Sequence, residues 1–151
     1  MASERGLSLL SDLAELYVGD PVKVGAMPSA AKALGNADYT PDGWVIGLRS
    51  DLWGNPAELA LTFLHEVAHV VLGHVAAKVA TGPRYDLDEL EHAASALDGK
   101  ASGDLAALLV ARVKAHEQAA DTWARIELAR LDERIQADQG QTFAEALAVL
   151  G

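Results

Sequence analysis

The chain has 151 residues, half of them hydrophobic, which suits a single domain over residues 1–151 with a real apolar core. Acids outnumber bases 22 to 12 and no Lys/Arg cluster could follow a phosphate backbone, so direct nucleic-acid binding is not expected. The absence of cysteine excludes disulfides, thiolate zinc fingers and cysteine nucleophiles.

The first stretch, "MASERGLSLLSDLAELY", is too interrupted by charge for a secretion signal. No apolar run reaches the length of a membrane span, so no membrane association and a cytoplasmic location are expected. Leu9, Leu10, Leu13, Leu16 and Tyr17 predict one face of a short helix that ends at Gly19-Asp20-Pro21. "PVKVGAMP" and "GWVIGLRS" then read as strands, with Trp44, Ile46 and Leu48 on one face and the turn "TPDG" at Thr40–Gly43. A small antiparallel sheet of about three strands is expected.

Asn55 as N-cap and Pro56 at the first helical position open the next helix, which closes at Gly82-Pro83 or earlier, at Gly73. Leu59, Leu61, Phe63, Leu64, Val67, Val70, Val71 and Leu72 cover nearly its whole circumference, the pattern of a central buried helix running from Asn55 to about Leu72. The acids, serines and glycines from Arg84 to Gly103 predict a surface excursion. A strong helical pattern follows from Asp104 to about Ile135, about 45 Å long at 1.5 Å per residue. That length predicts a bend, a break or an overhanging end. "TFAEALAVL" predicts a last short helix, and the fold class expected is α+β: a small sheet packed on a mainly helical body.

Three of the five histidines fall within "HEVAHVVLGH". On a helix His65 and His69 project from one face a turn apart, and Glu66 sits about 100° round, within reach of a water beside a metal held there. This is the His-Glu-x-x-His signature, in which zinc takes neutral imidazoles and the glutamate, here Glu66, serves as general base. Shuffling this composition would produce the motif on the order of one time in a hundred, so its setting matters. Two histidines and a glutamate inside an apolar helix would cost several kcal/mol unpaired, about what a metal would offset. The alternative is histidines bonded to backbone carbonyls, with the glutamate reaching outward.

A catalytic zinc takes three protein ligands and keeps one open position. His74 points about 180° away from His65 on a continuous helix and could coordinate only if the helix breaks at Gly73; otherwise its role is structural or supporting. Leu72 and Val75 occupy the positions where a metzincin carries Gly and His. Glu117 in "HEQAADTWA" is the stronger candidate, because Ala119, Ala120, Trp123 and Ala124 mark a face that packs. Asp121, one turn later, could accept the outer N–H of a ligand histidine. His116, Glu91 and His92 are the remaining candidates for the third ligand.

"GNADYTPDGWVIGLRSDL", "LHEVAHVVLGH" and "EQAADTWA" together resemble the ImmA/IrrE family of zinc metallopeptidases over roughly Leu7 to Ala124. The resemblance implies a zincin-like fold, with His65, His69 and Glu117 as zinc ligands, Glu66 as general base and Asp121 in support. It implies a protein substrate, a cognate helix-turn-helix repressor that binds DNA. About 47 residues lie between His69 and Glu117, longer than usual for the family, and the additional C-terminal sensor domain of its larger members is not expected. The expectation is thus a compact, phage- or mobile-element-encoded form. Substrate would lie along the edge of the sheet, at Trp44–Arg49. Tyr39, Arg84, Tyr85, His92 and His116 have the chemistry of an oxyanion donor, and Arg84–Gly103 that of a lid. A non-catalytic zinc-binding interaction module, another zinc hydrolase and a purely structural helical domain stay open as alternatives.

Overall fold

The computed structural model describes residues 3–75 and 101–150, and of residues 101–107 and 109 the backbone alone. Helix α1 (Glu4–Val18) begins where the Gly6 amide donates to the Ser3 hydroxyl, 3.0 Å away. It ends at Gly19, whose left-handed φ of 81° brings its N–H to the Glu15 carbonyl. The buried stripe is Gly6, Leu10 and Ala14. Leu16, expected on that stripe, is 83% exposed, since six residues beyond Leu10 a helix has turned about 120° away.

Three strands follow, β1 (Val22–Met27), β2 (Gly35–Thr40) and β3 (Gly43–Arg49), in the spatial order β1-β3-β2. β2 and β3 form an antiparallel hairpin closed by the Thr40–Gly43 pair. The sheet as a whole corrects the antiparallel expectation, because β1 runs parallel to β3. Trp44–Arg49 is also not an edge: β3 buries Ile46, Gly47 and Leu48 and pairs on both sides. The most apolar strand takes the centre, and the polar segment "GNADYT" is left as an edge.

Helix α2 (Pro56–Val71) starts as its sequence predicts, with the Glu58 amide donating to the Asn55 side chain and Pro56 in the first turn. Leu59, Ala60, Phe63, Leu64, Val67 and Ala68 are fully buried, so α2 is the axis of the core. Trp53, on a 3-10 turn at Ser50–Gly54, joins that core, while Trp44 and Trp123 pack against it partly buried.

Helix α3 (Ala101–Gln139) runs 39 residues without a break, about 58 Å at 1.5 Å per residue. Its backbone is already helical at Ala101, within the expected excursion, the rest of which lies outside the described residues, as does the exit at Gly82-Pro83. Helix α4 (Phe143–Leu150) folds back, with Phe143 against Phe63 at 6.3 Å between ring centroids. Its first amide donates to Asp132 at 2.8 Å. The architecture is α+β, with one three-stranded mixed sheet and four helices among the described residues. None of these helices is long and apolar enough to cross a membrane.

Candidate metal centre

A helix repeats every 3.6 residues, so Glu58, Leu61, Thr62, His65, Glu66 and His69 fall on neighbouring lines of α2. Most of them line a cleft of about 280 Å³, whose other walls are Ala33–Gly35, before and at the start of β2, and Glu117 and Asp121 of α3. Gly35 suits the close approach of strand and helix: a Cβ on it would stand 3.0 Å from the Glu66 Cγ, 3.0 Å from the Gly47 carbonyl oxygen and 3.1 Å from the Thr62 methyl carbon, so any larger residue would have to push these neighbours back by a few tenths of an ångström.

His65, His69 and Glu117 each offer one ligand atom, and these atoms lie within 4.8 Å of one another. The Nε2 of His65 is 2.9 Å from Glu117 Oε2, the Nε2 of His69 is 3.0 Å from Oε1, and the two Nε2 atoms are 3.1 Å apart. Both rings therefore turn the same nitrogen toward one carboxylate, with an 82° angle between their planes. His69 is buried to 3% exposure, whereas the Glu117 side chain is 44% exposed, so the cluster opens to solvent on the α3 side.

Electrostatics follow from the contacts. Hydrogen bonds from His65 and then His69 hold the Glu117 carboxyl well below the usual carboxylate range, against the opposing effect of burial. The hydrogen bond to Glu117 raises the His65 pKa, and the charges of Glu117, Glu66 and Asp121 add to it while burial opposes. Two imidazole nitrogens and a carboxylate oxygen make a donor set that fits zinc, and this group could bind a metal ion.

The remaining candidates are distributed unevenly. Glu66 is buried, at 7% exposure, and lines the cleft beside His65. Asp121 lines it too and accepts a hydrogen bond from Arg125 Nε at 2.9 Å. His116 does not join the triad; it stacks on His74 with planes 2° apart. Tyr39 is 53% exposed and packs edge-on against Trp44, away from the residues that line the cleft. Arg84, Tyr85, Glu91 and His92, and the greater part of Arg84–Gly103, the segment expected to act as a lid, lie outside the described residues.

Gly35 is the contributor that sequence reasoning missed; its one signal is a glycine opening a polar strand. The supporting role expected of His74 takes the form of a contact with His69, reached through the turn at Gly73. No protein-family model, curated protein or solved structure matches this chain.

Proposed function

We propose that this protein is a zinc metallo-endopeptidase of zincin-like fold, akin to the ImmA/IrrE family, that cleaves a cognate helix-turn-helix repressor. The observation that carries the reading is the convergence of His65 Nε2, His69 Nε2 and the Glu117 carboxylate, with His65, Glu117 and the buried Glu66 lining one cleft. Held by these three residues, zinc would supply Lewis-acid polarisation of a scissile carbonyl and lower the pKa of water toward 7.

The chain's own residues supply the rest. Glu66, confined between Gly35 and the His65 side of α2, takes the proton of the attacking water and returns it to the leaving amine. Beside it runs the edge of β2. Leu34 accepts a hydrogen bond from Arg49, so by antiparallel alternation Gly35, Ala37 and Tyr39 turn their N–H and C=O groups away from β3. An extended substrate adding itself to that edge would pass Glu66 at Gly35. The substrate edge is thus β2 in place of the central β3.

The test is zinc titration of metal-free wild type, Glu117→Ala and Glu66→Gln, followed by incubation with a candidate repressor. Wild type and Glu66→Gln should each take about one zinc, Glu117→Ala should bind ~100-fold more weakly or worse, and only wild type should cut. Wild type without zinc affinity, or Glu117→Ala binding as tightly as wild type, would end the three-ligand reading. Equal cleavage by Glu66→Gln would remove the base.

A further inference from the structure

The turn after α2 places a third histidine where a continuous helix could not. The Leu72 amide donates to the Ala68 carbonyl at 2.8 Å and the Gly73 amide to the Val70 carbonyl at 3.1 Å. Gly73 then adopts a left-handed φ of 79°. Nothing lies within 4 Å of a Cβ added there, so what glycine supplies is conformation, not room. The reversal returns His74 beneath its own helix, with its Nδ1 2.9 Å from the Nδ1 of His69. Both rings are buried, at 7% and 3% exposure. The face of His74 lies flat on His116, the residue before Glu117 on α3, with centroids 3.9 Å apart. His74 is therefore clamped between the two elements that carry the candidate ligands.

From this geometry we infer that His74 is a positioning residue for His69, acting as a neutral acceptor that fixes which nitrogen of His69 carries a proton. The inference rests on the metal-centre reading above. Two nitrogens 2.9 Å apart share one proton between them. When His69 gives the lone pair of Nε2 to a metal, the proton of the neutral ring is on Nδ1, and the acceptor facing it is the Nδ1 of His74. The ring of His74 must then carry its own proton on Nε2.

The choice of acceptor has a consequence. A carboxylate, the common partner at this position in zinc sites, brings a negative charge and makes the ligand imidazole more electron-rich. A neutral imidazole brings none. With a metal held there, Glu117 would be the one charged ligand, and His69 would be oriented without a second negative charge behind it. His74 orients the ligand without discharging the site.

The experiment uses the zinc-loaded, 15N-labelled full chain. Two-bond 1H–15N correlation spectra should find the proton of His69 on Nδ1 and that of His74 on Nε2, with a bare Nδ1 on His74. His74→Leu should weaken zinc binding about 10–100-fold. His74→Asn, whose Oδ1 stands close to the former Nδ1, should recover most of that loss, a rescue that filling of space alone would not produce. A proton on Nδ1 of His74 in the loaded wild type would overturn the inference while leaving the metal centre intact. So would undiminished affinity in His74→Leu, or Asn as weak as Leu with both variants folded by circular dichroism. Should His74→Leu not fold, the wild-type tautomers and the Asn variant decide. Wild type that takes no zinc would remove the metal centre itself, and this role with it.

Discussion

Helices α2 and α3 both carry ionisable side chains, yet they hold them in opposite surroundings. On α2, Glu66 and His69 are buried among fully enclosed Leu59, Phe63, Leu64 and Val67. On α3, the described side chains that are buried are Val110, Ala120 and Ala124, and most of the charges face water. One helix is a core element with polar residues inserted on one line; the other is a long, largely solvated rod that meets the core through Ala124 and the partly buried Trp123, Leu128, Leu131 and Ile135. A charge on the second kind of helix says little. A charge on the first must have a partner, because burial without one costs several kcal/mol. Glu117 is informative because it leaves the solvated class: it meets two buried-side nitrogens at 2.9 and 3.0 Å.

Substitutions can sharpen this contrast. Phe63→Ala on α2 empties the contact with Phe143 and should cost about 3–5 kcal/mol in urea unfolding. A loss below ~1 kcal/mol would mean that α2 is not the core axis.

A smaller effect is expected where α3 meets α1. Burial first, then the Glu127 charge and the 3.3 Å hydrogen bond from its phenol, push the Tyr17 pKa up to about 12. The folded state thus keeps this proton at pH values where the unfolded chain, near 10, has lost it. Stability should be complete below pH 10 and fall as pH rises through 12, by about 1 kcal/mol once solvent screening of a part-exposed phenol is allowed for. Tyr17→Phe should flatten that slope in urea midpoints measured from pH 9 to 12. An unchanged slope would mean that the Tyr17 phenol is not the group whose titration weakens the fold there.

Smallest of all should be Arg130→Ala. Its 2.8 Å ion pair with Glu127 is held by a side chain 71% exposed, and the change should move stability by less than ~0.5 kcal/mol. A loss approaching that of Phe63→Ala would overturn the picture of α3 as a solvated rod.

What the sequence disclosed and what it withheld divide along the same physical line. Local chemistry was legible: Asn55-Pro56 starts α2, Gly19 ends α1, and the apolar circumference of α2 predicts its burial. The four-residue spacing of His65 and His69 puts both rings on one side, which the structure keeps. Pairing was not legible. Nothing in "PVKVGAMP" states that its neighbour will run parallel, because a strand's partner and direction are decided by how the whole chain closes. His74 stands between the two cases: Gly73 is legible as a possible break and a supporting role with it, but the ring that His74 meets, His69, depends on how the left-handed turn directs the chain. Glu117 was reachable from the packing pattern around it, but its distance from the histidines depends on how α2 and α3 come together.

The Ser3 hydroxyl that caps α1 also donates to the carbonyl of Leu150, the last residue of α4. The first and last described helices are thus within one hydrogen bond of each other. Joining residues 3 and 150 through a short linker, and opening the chain at the exposed Pro41-Asp42 turn, would reorder the elements while preserving β1 against β3 and α2 against α3. The order of synthesis would change, and the centre made by α2 and α3 would not, so this architecture is suited to circular permutation.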